Sequence, residues 1–148
     1  MKKLLVLLVV VLIGIQFIPV ERTNPLISWD ISAPDNIASI LRTSCYDCHS
    51  NETNWPWYSY VAPVSFMVAG DVKDARKRLN FSEWDKYDGS ERQKLLEKII
   101  EEVEKEDMPL TMYTFTHPNA KLDAYRVNLL KNWIKPGSRY EKSLRNNK

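Results

Sequence analysis

Residues 44–60 read SCYDCHSNETNWPWYSY, and they hold both cysteines of the 148-residue chain and one of its two histidines. Cys45, Cys48 and His49 stand within five positions, so one local structure must present all three. Upstream, Ile37, Ile40, Leu41 and Cys45 recur at three- and four-residue spacing, the pattern of an amphipathic helix with Asp35 as its cap. That helix runs directly into the motif. Downstream, Asn51 to Trp57 sets Asn54 and Pro56 beside Trp55 and Trp57 and reads as a loop.

The rest of the chain keeps the helical period. One helix is predicted over Val64–Ala69 and another over Val72–Leu79, hinged near Gly70 and Asp71. Asn80–Trp84 reads as a short connection in which Ser82 is free to cap the next turn. After Gly89, Ser90 and Gln93 have the spacing of a capping box, and Leu95, Leu96, Ile99, Ile100 and Val103 form one apolar stripe that ends at Met108-Pro109. A last helix spans Leu122–Ile134, with Leu122, Tyr125, Leu129, Leu130 and Trp133 on its inner side, stopped by Pro136-Gly137. No segment alternates as a strand should, and there is no internal repeat. The predicted fold is all-α, with long loops around the cysteine motif and around Met108.

The chain begins MKKLLVLLVVVLIGIQFIPV. Lys2 and Lys3 precede an apolar run from Leu4, the layout of an export signal. No small residue stands where a cleavage site would lie, between Ile15 and Val20, so the reading is an uncleaved anchor rather than a removed signal. At 17 residues the run Leu4–Val20 is at the short end of what crosses a bilayer. With the lysines held inside, the domain faces the periplasm from the inner membrane. The expected organisation is an anchor helix at 1–20, a Pro- and Asn-containing linker at 21–34, a functional domain at 35–136 and a mobile tail at 137–148.

The net charge is +2, with much of the positive charge at the two ends, and no basic patch is interleaved with aromatics. Nucleic acid is excluded as a partner on that ground. A Cys45–Cys48 disulfide would close only a tiny loop and add little stability. There is no Gly-rich phosphate loop, no His-Glu-x-x-His and no nucleophile evident beside His117, so no enzyme activity is read from the chain.

Cys45-Tyr46-Asp47-Cys48-His49 is C-x-x-C-H, the attachment spacing of c-type haem. Two thiols three positions apart can each add to one vinyl group on a haem edge, and the next residue then offers its imidazole to the iron. Attachment takes place outside the cytoplasm, where the N-terminus would deliver the chain. A thioredoxin-like pair would want a βαβ unit that is not visible here. A zinc site would lack a clear fourth ligand, with His117 the sole spare histidine. For the second axial position the candidates are Met108, Met112, Met67 and His117. Met108 is favoured because Pro109 stiffens the loop that presents its sulfur; Met67, in the apolar run Val61–Ala69, is assigned to the core. Trp55, Trp57, Tyr58, Tyr60, Phe66, Trp84, Tyr113 and Phe115 are candidate walls. Lys73, Arg76 and Arg78 are candidate propionate partners. The acidic series from Glu97 to Asp107 reads as a solvated face that could also dock a basic redox partner.

With these residues in view, the chain resembles the haem-binding domain family of exported bacterial proteins. The resemblance rests on CYDCHSNETNWPWYSYVAPVSF (45–66), on Asp71-Val72 with Arg76 and LNFSEW (79–84), and on MPLTMYTFTHPNAKL (108–122). It implies a small helical, cytochrome c-like domain with one covalently attached haem c held by Cys45, Cys48 and His49. By analogy with cytochromes c, Met108 falls where the distal ligand stands. The expected function is a membrane-tethered monohaem cytochrome that passes single electrons to a redox partner the sequence does not specify. The alternative is a sensor or binder of small ligands with an open or labile distal position.

Overall fold

A computed structural model describes residues 1–135. Helices run over Lys2–Gly14 (α1), Asp35–Ser44 (α2), Tyr46–His49 (α3), Val64–Arg78 (α4), Gly89–Glu104 (α5), Thr111–Thr116 (α6) and Ala124–Ile134 (α7), with short 3-10 turns between several of them. Among the described residues the one β feature is an isolated parallel bridge between Trp29 and Glu83. The all-α expectation holds. The tail expected at 137–148 lies outside the described residues.

Burial follows the apolar periodicity. α2 turns Ile37, Ile40, Leu41 and Ser44 inward. α5 contributes Leu96 and Val103, and α7 contributes Leu130, Trp133 and Ile134. Phe81, Leu41, Leu96 and Leu130 are fully buried, and each such side chain stabilises the fold by roughly 1.5–3 kcal/mol. Phe81 is the hub of an aromatic row: it stacks on Tyr46 at 5.3 Å and meets Trp84 at 6.2 Å, and Trp84 meets Tyr87 at 5.6 Å.

Several boundaries differ from the expectations. Gly70 is no hinge: α4 passes through it unbroken, and a Cβ placed there would meet nothing within 4 Å. Its helix costs about 1 kcal/mol relative to Ala at that point, which the tertiary packing of Ser65 and Val72 overrides. The capping box of α5 is Asp88 with Glu91, two residues before Ser90 and Gln93. The Asp88 carboxylate accepts from the Ser90 and Glu91 amides, and the Glu91 carboxylate accepts from the Asp88 amide. At α2, Pro34 occupies the cap position and Asp35 is the first helical residue, where its charge suits the helix dipole. α7 begins at Ala124 behind Asp123, whose carboxylate accepts from the Arg126 amide, and Tyr125 faces solvent. Ser82 caps nothing; it is buried, and its hydroxyl accepts from the Asn51 amide.

The stretch read as a linker is tied to the domain. Ile31 is buried, its amide donates to the Phe81 carbonyl at 3.0 Å, and the Trp84 amide donates to the Trp29 carbonyl at 2.9 Å. The 13-residue α1 buries none of its residues, and at about 1.5 Å per residue it is roughly 20 Å long. Among the described residues no helix is long and apolar enough to cross a membrane. The expected spanning anchor is corrected on that point: the helical geometry tightens to a 3-10 turn at Ile15–Phe17 and becomes extended at Ile18.

Candidate functional site

The motif is one helical turn laid against the core. Backbone conformation breaks at Cys45, where φ is −130°, and the amides of Cys48 and His49 then both donate to the Cys45 carbonyl. Residues three and four apart in a helical turn share a face, so Cys45, Cys48 and His49 are presented together. The segment after α4 receives this turn. The Phe81 amide donates to the His49 carbonyl at 2.8 Å, and the His49 Nδ1 lies 3.1 Å from the Leu79 carbonyl. A carbonyl only accepts, so Nδ1 carries the proton and Nε2 keeps its lone pair free for a metal. Burial holds the imidazole below its usual pKa against the opposing pull of the Leu79 and Ala75 carbonyls. It is neutral, as a ligand must be.

Both cysteines are free. Burial, then the neighbouring Cys48, pushes the Cys45 thiol up to about 12. Burial, then Asp47 and Asp71, pushes Cys48 up to about 11. Reactive redox thiols need the opposite shift, so this environment disfavours thioredoxin-like chemistry. Among the described residues no group of three or more His, Cys, Asp or Glu side chains is placed to hold a metal ion, which leaves the zinc reading without a ligand set.

Cys45, Cys48 and His49 line a cavity of about 300 Å³ together with Met108, Pro109, Leu110 and Tyr113. α4 closes one side with Asp71, Asp74, Ala75 and Arg78. Met108 reaches it through the end of α5. Glu106 has φ 60°, the Glu106 amide donates to the Val103 carbonyl, and the Asp107 and Met108 amides both donate to the Glu102 carbonyl. This is a Schellman turn with a glutamate where glycine is usual. Replacing Glu106 with Gly is expected to remove the left-handed strain, which is about 1 kcal/mol or more, less the added entropy of the unfolded chain. A net gain of a few tenths to about 1 kcal/mol in urea unfolding would follow; a loss would mean that the glutamate side chain contributes contacts of its own.

Tyr113, on α6, donates its hydroxyl to the Asp47 carboxylate at 2.8 Å. Asp47 lies inside the cysteine motif, so this bond joins the motif turn to the segment that follows Met108. α6 itself was missed in the sequence, where Thr111–Thr116 offers six residues and too little periodicity to read.

The other distal candidates lie elsewhere. His117 stacks on Tyr113 at 4.4 Å, with Nδ1 donating to the Tyr113 carbonyl at 3.2 Å, and is not on the cavity wall. Met67 and Met112 are exposed and line a second cavity of about 330 Å³, which shares Cys48, Asp71, Leu110 and Tyr113 with the first. Met67 is thus not a core residue. Of the candidate walls, Tyr113 lines the first cavity, Trp57 and Tyr58 the second, and Trp55 and Phe66 a third. Trp84 belongs to the core, and Tyr60 and Phe115 are exposed.

Of the three basic candidates, Arg78 borders the first cavity and Lys73 the third. Arg76 is engaged in holding backbone together, donating to the Ser50 and Thr23 carbonyls at 2.7 and 2.8 Å. On α5, Glu101 and Glu102 pair with Lys98, Glu101 also pairs with Lys105, and Glu104 pairs with Lys131. Those pairs offset much of the expected acidic patch.

The donor set fits a haem: a neutral imidazole whose Nδ1 is held by the Leu79 carbonyl, two uncrosslinked thiols on one face, and a thioether lining the same cavity. No curated protein and no solved structure matched the chain significantly. The model of the haem-binding domain family matches residues 10–136, and with most of its length so covered, the chain belongs to that family and binds haem.

Proposed function

We propose that the protein is a monohaem c-type cytochrome, tethered at the outer face of the cytoplasmic membrane by its N-terminal segment, that passes single electrons. The observation that carries this reading is the makeup of one cavity. Of the four distal candidates, Met108 alone lines it together with Cys45, Cys48 and His49. The haem supplies a one-electron ferric/ferrous couple. Cys45 and Cys48, both free thiols, would hold it by thioether bonds. His49 is the proximal ligand, aimed by the Leu79 carbonyl. Met108 would supply its thioether to the iron as the distal ligand, so that a carrier could change charge without rearranging its ligands. Tyr113 and Leu110 exclude water from that side.

The rival reading, a small-ligand sensor, draws on the partial exposure of Met108, which leaves its sulfur displaceable. An optical spectrum separates the two. The full chain is produced with c-type maturation and recorded oxidised, reduced, and reduced under carbon monoxide. A low-spin spectrum with a Met–ferric charge-transfer band and no response to carbon monoxide is expected. A high-spin or responsive spectrum moves the assignment to the sensor, and haem that is extracted by acidified solvent overturns the covalent attachment.

A further inference from the structure

α1 exposes Leu4 to Ile13 on every side. Having no polar face, it cannot rest on a membrane surface with one side in water. At roughly 20 Å it also falls short of the ~30 Å hydrocarbon layer. The domain continues its apolar surface at the point where they join. Gln16 donates to the Ala62 carbonyl at 3.1 Å and accepts from the Ala62 amide at 3.0 Å. Around that paired contact, Phe17 is 82% exposed, Trp57 79%, Tyr60 59%, Val61 45% and Val64 40%. Single exposed apolar residues need no explanation, but a contiguous patch does.

We propose that this rim, Trp57 to Val64 together with Phe17, seats in the interfacial layer of a lipid bilayer on the side where α1 enters. The proposal rests on the membrane-tether reading above and adds the face of the domain that meets lipid. Trp57 and Tyr60 are the residue types that favour the headgroup level. Arg22 supplies a charge to the same level: its guanidinium lies 4.5 Å from the Tyr60 ring centroid and donates to the Ser59 carbonyl. Interfacial groups sink ~5–10 Å into the headgroup and acyl boundary, so the rim would hold the domain against the layer that α1 enters. It also orients the second cavity, whose wall includes Trp57, Val64 and Cys48, toward the lipid.

The test uses the full chain reconstituted into phosphatidylcholine vesicles that carry a lipid with a diazirine near the top of its acyl chain. After photolysis, peptides bearing lipid adducts are identified by mass spectrometry. Adducts on both the α1 peptide and the 57–67 peptide are expected. A second protein with Val61→Asp and Val64→Asp, both exposed positions that tolerate charge without unfolding the core, is expected to lose at least half of the 57–67 adducts and keep those on α1. Adducts on α1 alone overturn the rim proposal and leave the tether standing. Adducts on neither overturn both. Adducts on 57–67 that persist undiminished in the double variant also overturn the rim assignment.

Discussion

Met108→Ala is expected to convert a reduced protein that ignores carbon monoxide into one that takes up about one equivalent per haem. The Met–ferric charge-transfer band should disappear in the same variant. The reduction potential should fall, since a distal thioether favours the reduced state. The expectation follows from the cavity lining: Met108 shares a cavity with Cys45, Cys48 and His49, while Met112 and Met67 belong to the adjacent cavity and His117 is stacked on Tyr113 outside the first. Met112→Ala and His117→Ala therefore serve as controls and should leave the spectrum as it was. Met108 is only partly buried, so its truncation should cost little stability, and a spectral change cannot be mistaken for unfolding. An unaltered spectrum in Met108→Ala, or a change in Met112→Ala instead, would sink the assignment.

The part of this site that could be read from the sequence is the part built by nearest neighbours. C-x-x-C-H is a fixed local spacing, and the apolar periods of α2, α5 and α7 are local too. What escaped is set by distant partners. No signal around Gly70 reveals that α4 continues, because the burial of Ser65 and Val72 on either side of it is set by the tertiary fold. Glu106 has none of the usual marks of a left-handed residue, and the turn forms because the Glu102 and Val103 carbonyls need donors at the end of α5.

The segment after the motif is the clearest case. Asn51 to Trp57 is polar and contains Pro56, so it reads as a surface loop, yet Ser50, Asn51 and Thr53 are buried. Their polar groups are satisfied by pairings across the fold: Asn80 donates to the Asn51 side chain at 2.9 Å, Asn51 donates to the Leu26 carbonyl at 2.9 Å, and Thr53 donates to the Asp47 carbonyl at 2.7 Å. Short uncharged polar residues on both 50–53 and 80–82 were the available clue, and it becomes legible only once those two stretches are known to be adjacent. The same network explains why residues 21–34 are not a free spacer, since Leu26 and Asn24 are among its partners.

Arg76→Ala is expected to be the most destabilising surface-accessible change in the domain, by about 2–4 kcal/mol in denaturant unfolding. One guanidinium on α4 reaches two separated stretches, 23–24 and 50–53. Nε donates to the Ser50 carbonyl at 2.7 Å, Nη1 to the Thr23 carbonyl at 2.8 Å, and Nη2 to Thr53 Oγ1 at 2.8 Å and Asn24 Oδ1 at 3.1 Å. Ser50 is fully buried, so removing the donor leaves a carbonyl without that partner where water does not readily replace it, and a hydrogen bond to a charged group is worth about 1.5–3 kcal/mol. The Thr23 and Asn24 acceptors are exposed and regain water, which keeps the sum well below four such bonds. Arg76→Lys should recover only part of the loss, because an ammonium is a point charge that cannot reproduce the fork reaching both stretches. The consequence reaches the site, since Ser50 directly follows His49 and its displacement loosens the turn that aims the imidazole at the cavity. Haem loading during maturation should therefore drop with stability in Arg76→Ala and be partly restored in Arg76→Lys. Had Arg76 instead served as a propionate partner, the variant would keep its unfolding midpoint before haem attachment and differ only afterward, so the midpoint of the haem-free chain decides between the two roles.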